Sequence, residues 1–130
     1  YYIKHNKIYI ITEKNNNKIT SYCILIEKNN DKLQLKKLCL VDLISLNDNN
    51  NNYKKLIKFS IKLAKEKKYD YLEIVGFNSN KRKIIKKFLP FYRKFKHSRY
   101  CYYTSNDLLV KSLKNSKNLD FSMIDGDAIM

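Results

Sequence analysis

The chain has 130 residues, 44% of them hydrophobic, and a formal net charge of +15 at pH 7. This is the length of one domain with a buried core, and the hydrophobic content excludes wholesale disorder. No apolar run approaches the roughly 20 residues that cross a bilayer, so no membrane span is predicted and a cytoplasmic location is expected.

The first two predicted elements form a hairpin. Residues 7–13 alternate between apolar and polar types, and residues 18–28 are rich in β-branched and aromatic side chains, a pattern typical of strands. The polar, asparagine-rich segment 13–17 that separates them is short. We therefore predict an antiparallel pair of strands joined by a tight turn.

A third strand is predicted over residues 32–45, and its apolar pattern changes phase. Leu33 and Leu35 share one face of a strand, whereas Leu38 and Leu40 have the opposite parity. One extra residue at Lys36-Lys37 would produce this shift, which predicts a β-bulge there. A strand buried on both faces is the alternative, because parity then carries little information.

A polar loop and a strand between two helices follow. Residues 47–52 read NDNNNN, and apolar residues at helical spacing predict a helix over 53–68 with Asn51 or Asn52 as its N-cap. Residues 71–77 form a short apolar strand, and residues 80–89 a second helix that Pro90 ends. Strand–helix–strand order predicts a right-handed crossover, which makes the third and fourth strands parallel.

The last predicted elements are a tyrosine-rich strand at 97–104, a short helix at 107–114 capped by Asn106, and a strand at 119–124. The element order is then β-β-β(bulged)-α-β-α-β-α-β. We predict an α/β (α+β) domain with a mixed sheet and helices on both faces.

This order resembles the core of the GNAT superfamily of acyl-CoA N-acyltransferases. On that resemblance, residues 1–130 form a single GNAT-like domain that lacks the family's first strand and first two helices. The segment 119–128 (LDFSMIDGDA) also resembles the C-terminus of GNAT-like proteins that accompany polysaccharide biosynthesis. The resemblance implies acyl transfer, with acetyl-CoA or another acyl-CoA as the donor, to an amine on a sugar or cell-surface precursor.

In the family, the bulge separates two parallel strands, and the pantetheine arm of CoA pairs with the exposed backbone. The pyrophosphate binds at the next helix N-terminus. The family's loop there carries glycines, whereas this chain has Asn47–Asn52. The residues that the resemblance assigns to the cofactor are Val41, Leu43 and Ile44 for the arm, and Asn49, Asn51, Asn52, Tyr53 and Lys54 for the pyrophosphate, with Lys55 adding charge.

The resemblance also assigns residues after the fourth strand and candidates for catalysis. Asn78 or Asn80 matches the family's asparagine, and Tyr92 is the nearest hydroxyl that could protonate the departing thiolate. Either Asp42 or Glu73 could accept the proton from the amine. The alternative for both carboxylates is an ion pair with one of the 27 basic residues.

Two other interpretations compete with this one. A non-catalytic GNAT-like interaction domain would explain the missing glycines. A basic nucleic-acid-binding module would explain the net charge and the interleaved aromatic and basic residues of segment 91–103, although an A- and T-rich genome gives the same composition. The widely spaced Cys23, Cys39 and Cys101 indicate buried reduced thiols, and neither they nor the Asp125-Gly126-Asp127 turn predicts a metal site.

Overall fold

The computed structural model describes residues 7–30, 32–89, 91 and 105–114. In that part of the chain, four strands form one mixed sheet in the order β1-β2-β3-β4. The β1–β2 and β2–β3 pairs are antiparallel, and β3–β4 is parallel. The strands are β1 (Ile8–Asn15), β2 (Lys18–Asn30), β3 (Leu35–Ser45) and β4 (Tyr71–Ile74), and the helices are α1 (Asn50–Glu66), α2 (Ser79–Lys86) and α3 (Asp107–Lys114).

The β1–β2 hairpin confirms the prediction. Its turn residues Asn16 and Asn17 have φ values of 47° and 62°, the left-handed region that two-residue hairpin turns require and that asparagine tolerates. The face of β2 that contacts α1 buries Ser21, Cys23 and Leu25. Strand alternation therefore places these three residues under the helix, whereas Ile8 and Ile10 of β1 are more than half exposed.

The β-bulge exists, but it lies at Val41 and not at Lys36-Lys37. Ile24 pairs with Asp42, and the next residue of β2 pairs with Leu40, which leaves Val41 as the surplus residue of β3. The apparent shift at the two lysines has another cause. Leu33 lies in the turn before β3, and the strand is buried on both faces from Leu38 to Val41, so parity there was misleading.

Helix α1 covers one face of the sheet. It begins at Asn50, three residues before the predicted start, and Asn49 rather than Asn51 or Asn52 is its N-cap. The Asn49 side chain accepts a hydrogen bond from the Asn51 amide at 2.9 Å. The helix buries Tyr53, Leu56, Ile57, Ser60 and Ala64. The four apolar side chains among them form the core with Leu38, Leu40 and Leu43 of β3.

The strand β4 and helix α2 follow in the predicted order. Residues 71–74 pair in parallel with residues 37–40 of β3. The strand ends at Ile74 and not at Phe77, because Gly76 and Phe77 have φ values of 92° and 68° that turn the chain away. Helix α2 buries Ile84 and Ile85 in the same core as α1.

The short helix α3 agrees with its predicted bounds, and Asn106 accepts hydrogen bonds from the amides of Leu108 and Leu109. The strands predicted at 97–104 and 119–124 lie outside the described residues. Among the helices described, none is long and apolar enough to cross a membrane. Within the same residues, no group of three or more His, Cys, Asp or Glu side chains is placed to hold a metal ion.

Candidate functional site

The parallel strands β3 and β4 separate beside the bulge. Leu40 and Ile74 are their last paired residues, and Val41 is the surplus residue that follows on β3. Residues 42–45 continue along β2, while the chain after Ile74 turns toward α2. A gap therefore opens between the two strands, as the resemblance predicted. Val41 and Leu43 beside it are fully buried, whereas Ile44 is 43% exposed.

The N-terminus of α1 lies at the end of the gap where β3 leads into it. Asn47 and Asp48 both have positive φ, 56° and 49°, which asparagine and aspartate adopt more readily than most residues. The Tyr53 hydroxyl donates a hydrogen bond to Asp48 Oδ1 at 2.6 Å. The asparagine-rich loop therefore curls without glycine, and it holds a carboxylate at the start of the helix.

Two of the amides proposed for a pyrophosphate already have partners. The Asn51 amide donates to the Asn49 side chain, and the Tyr53 amide donates to the Asn49 carbonyl at 3.2 Å. Lys54 Nζ contacts Asn51 Oδ1 at 3.4 Å, and Asn52 donates from its side chain to Ser45 Oγ at 3.2 Å. The loop is therefore ordered by its own side chains.

The N-termini of the two helices meet at this point. The Asn78 side chain caps α2 by accepting from the Lys81 amide at 2.9 Å. Asn80 donates from its side-chain amide to Asn50 Oδ1 at 3.2 Å. The two asparagines predicted from the resemblance thus take different roles: Asn78 caps α2, and Asn80 joins α2 to α1.

Lys81 is a residue of this region that the sequence analysis missed. It is only 5% exposed, and its ammonium lies 5.3 Å from the ring centroid of Tyr53 and 5.7 Å from that of Phe77. Both distances are in the range of cation–π attraction. The signal was available, since Lys81, Ile84, Ile85 and Phe88 share one helical face. Lys81 brings a buried positive charge to the junction of α1, α2 and the end of β4.

The two candidate bases lie on the face of the sheet opposite α1. Glu73 is directly opposite Cys39 in the β3–β4 pair. Its Oε2 accepts from Lys37 Nζ at 2.9 Å and from the Cys39 thiol at 3.5 Å. The ion pair that was the alternative for this carboxylate is therefore present. Burial raises the pKa of the Cys39 thiol to about 11, so this cysteine is not an activated nucleophile.

Asp42 follows the bulge directly and lies nearer to the gap. Its Oδ1 accepts from the Leu43 amide at 2.8 Å. The pKa of the neighbouring Tyr22 hydroxyl is raised by burial and then by the charge of Asp42 and a hydrogen bond to it. Neither interaction is an ion pair. Asp42 thus lies in the part of β3 that follows the bulge, and its role as a base stays a prediction.

The structure brings most of the predicted residues to one region. The bulge, the α1 N-terminus and the α2 N-terminus surround the gap. Tyr92 lies outside the described residues, so its role stays a prediction. The assignment of individual residues to the cofactor or to catalysis also stays a prediction.

The larger of two described surface cavities lies elsewhere. It has a volume of about 510 Å³ between β1 and α1, and its lining includes Ile8, Ile10, Phe59, Lys62 and Glu66. Its two charged groups form an exposed pair at 3.7 Å. This cavity is an open groove along the edge strand β1, and its lining contains none of the residues predicted for the site.

No protein-family profile matches the chain, and no curated protein matches its sequence. Solved structures do match. An aminoglycoside acetyltransferase from an uncultured soil metagenomic sample, in complex with sisomicin, has a TM-score of 0.60 at 14% identity over 78% of this chain and 69% of that one. A predicted acetyltransferase with acetyl-CoA from Clostridium acetobutylicum has a TM-score of 0.54 at 14% identity, over 79% and 66%.

A third match is a ribosomal-protein-alanine N-acetyltransferase from Brucella melitensis biovar Abortus 2308, with a TM-score of 0.55 at 13% identity over 75% of this chain and 71% of that chain. All three are described as acetyltransferases, one of them as a predicted one. The chain has the fold of the GNAT-type acyltransferases. At these identities the likeness establishes the fold, and function has to be argued from the site.

Proposed function

We propose that this protein transfers an acyl group from acyl-CoA to an amine. The observation that carries the proposal is the gap between β3 and β4, opened by the surplus residue Val41. An interrupted parallel pair leaves backbone N–H and C=O groups that an extended ligand can pair with like an added strand. The pantetheine arm of CoA, with its two amide groups, has this chemistry.

The other end of the donor would lie at the helix junction. Helix N-termini favour anions through their backbone amides and their dipole, and α1 and α2 begin side by side. Lys81 adds a buried positive charge there. These features support an anion at the mouth of the gap, by which we mean the end where α1 and α2 begin. Asp48 opposes it, because its carboxylate stands at the start of α1.

The reaction would be a direct transfer. The amine nitrogen attacks the thioester carbonyl carbon, so that a C–N bond forms and the C–S bond breaks. Asp42 takes the proton that the amine loses, directly or through water. The departing thiolate is protonated, with Tyr92 as the candidate donor. Glu73 serves as a second candidate base, although it would have to leave Lys37 first.

The acceptor class is part of the proposal. We infer an amine on a sugar or a cell-surface precursor, encountered in the cytoplasm. A screen of amino sugars and aminoglycosides with acetyl-CoA, followed by detection of free thiol and by mass spectrometry of the acceptor, tests this part. A mass increase of one acetyl group on the amine is the expected result.

Donor binding can be tested without knowing the acceptor. A ligand at 100 times its Kd stabilises the native state by about 2.7 kcal/mol, which raises the melting temperature by several degrees in a domain of this size. We expect such a shift with millimolar acetyl-CoA and a smaller one with acetyl-pantetheine. Adenosine 3′,5′-bisphosphate is the control for nonspecific binding of phosphates to a basic chain.

Two outcomes favour the rival functions. Absence of any shift with acetyl-CoA and acetyl-pantetheine favours a non-catalytic interaction domain, in which Tyr53, Phe77 and Lys81 fill the mouth of the gap permanently. Tight binding of a single-stranded oligonucleotide, with an affinity that falls steeply with salt, favours the nucleic-acid-binding module.

A further inference from the structure

The outer sides of α1 and α2 carry a dense group of cations beside the mouth of the gap. The two helices are adjacent, since Asn80 bonds to Asn50 and Lys58 Nζ lies 5.8 Å from the ring centroid of Phe88. We define the basic surface as the exposed or half-exposed cations of this helix pair: Lys54, Lys58, Arg82, Lys83, Lys86 and Lys87.

The basic surface has little acidic compensation on its own helices. Helix α2 contains no acidic residue. Helix α1 contains only Glu66, and that carboxylate lies 3.7 Å from Lys62, which is not part of the basic surface. The cations of the surface therefore produce a positive field along the outer side of this helix pair, whose N-termini border the gap, and that field attracts an acidic partner.

The mouth of the gap itself suits a donor with few charges. The Asp48 carboxylate is held at the start of α1 by the buried Tyr53, whose hydroxyl bonds to it at 2.6 Å. Each phosphate charge placed there is repelled by this carboxylate, and the loop offers no glycine for a close approach. A diphosphate fits this mouth worse than a single phosphodiester does.

We propose that the natural acyl donor is a thioester on the phosphopantetheine arm of an acidic carrier protein. This inference rests on the proposed function, since free CoA and a carrier protein present the same arm to the gap. The carrier places one phosphodiester at the mouth where CoA places a diphosphate and a nucleotide. Its acidic side chains dock on the basic surface, where charge complementarity accelerates association.

Acyl transfer from the carrier follows the same steps as acyl transfer from CoA. The acceptor amine forms a C–N bond to the acyl carbon, and the C–S bond to the arm breaks. The amine's proton passes to Asp42, and the thiolate of the arm takes up a proton from Tyr92 or from solvent. The products are the amide and the carrier protein with a free thiol on its arm.

The test measures binding of a fluorescently labelled bacterial acyl carrier protein to the 130-residue chain by anisotropy at low and physiological salt. Three probes are compared: the acetylated holo-carrier, the apo-carrier without its arm, and acetyl-CoA. We expect the acetylated holo-carrier to bind at least tenfold more tightly than either other probe. The affinity should fall as salt rises, because surface charges are screened within about 10 Å at 0.1 M.

The charge-reversal variant K83E/K87E tests the docking surface, and K32E is its control in the turn at the opposite end of the sheet. The double variant should weaken carrier binding at least tenfold, whereas K32E should change it less than threefold. Acetyl-pantetheine binding should stay unchanged in both variants. Circular dichroism and melting temperature confirm that the variants are folded.

The outcomes separate this inference from the proposed function. Acetyl-CoA binding as tight as that of the acetylated holo-carrier, or carrier binding insensitive to K83E/K87E, overturns the carrier proposal and leaves acyl transfer intact. Failure of acetyl-pantetheine, acetyl-CoA and the carrier alike overturns both. An oligonucleotide that displaces the carrier, together with equal binding of apo- and holo-carriers, assigns the basic surface to nucleic acid and also overturns the inference.

Discussion

Deletion of Val41 should close the gap and leave the fold intact. Leu40 and Leu43 are in the α1 core, and Asp42 between them lies on the opposite face. Without Val41, these three residues alternate regularly, and the existing pairs of Ile24 and Leu25 become consecutive without a shift. The deletion therefore changes the path of β3, but every remaining side chain stays on the face of the sheet that it occupies now.

The expected cost in stability is small. Val41 is fully buried, and losing its burial costs about 2 kcal/mol. One or two regained ladder hydrogen bonds return about 1 kcal/mol each. The net change is a loss of roughly 1 kcal/mol or less, which lowers the melting temperature by about 4 °C in a domain of this size.

Binding should respond far more strongly than stability. We expect the deletion to weaken acetyl-pantetheine binding at least tenfold, measured by isothermal titration or thermal shift. The control is V41A, which keeps the surplus residue while losing about 2 kcal/mol through lost apolar burial and a cavity. V41A should bind normally although it is at least as unstable. A folded deletion variant with unchanged affinity for acetyl-pantetheine would refute the idea that the bulge makes the site.

Four further predictions concern single side chains. D48N should increase acetyl-CoA affinity severalfold and leave acetyl-pantetheine affinity unchanged, because only the former carries a diphosphate; equal effects on both in titration calorimetry would contradict this. K81M should weaken acetyl-CoA about fivefold while the melting temperature stays within a few degrees, since methionine keeps the buried volume; unchanged affinity would exclude an anion beside this ammonium. The pKa of Glu13 is lowered from 4.5, mainly by the Lys55 hydrogen bond, so its stabilisation exists above pH 4.5 and is lost as pH falls through the folded value. The melting temperature should therefore drop more between pH 6 and pH 3 in the unmodified chain than in E13Q, and parallel curves would show no such contribution. Burial raises the pKa of the Cys23 and Cys39 thiols to about 11. Iodoacetamide at pH 8 should leave both unmodified in the native chain and alkylate both in denaturant, as peptide mass spectrometry would record.

The sequence predicted the order of the described elements because their periodicities are strong. Alternation in the hairpin and helical spacing in α1 and α2 each lead to one interpretation. The bulge was predicted in the right strand and at the wrong residue. The alternation of apolar and polar residues locates a bulge only where one face of the strand is polar. Here Cys39 and Val41 are apolar and buried on the face opposite to that of Leu38 and Leu40.

The N-cap and the buried lysine show two other limits. Residues 49–52 are all asparagine, and each is a chemically suitable N-cap. Asn49 is the N-cap because the end of β3 and the turn after it fix where the helix begins. Lys81 stands among several basic residues of α2. Its burial depends on Tyr53 and Phe77, which reach it from a different helix and from the end of β4. The helical face that Lys81 shares with Ile84 and Ile85 indicates that the residue faces inward, but contacts between distant parts of the chain leave no local pattern that identifies its partners.

The position of the bulge is itself an argument for a function in the gap. The core pattern of β3 is complete without Val41, since Leu38, Leu40 and Leu43 would face α1 in a regular strand of one residue less. The surplus residue is therefore not required to build the core. Its structural effect lies where β3 and β4 part, after Leu40 and Ile74. Bulges are common beside active sites, where they re-aim a side chain or end strand pairing. Val41 is buried outside the core under α1, so packing under the helix does not explain the extra residue, whereas the gap used by the proposed function does.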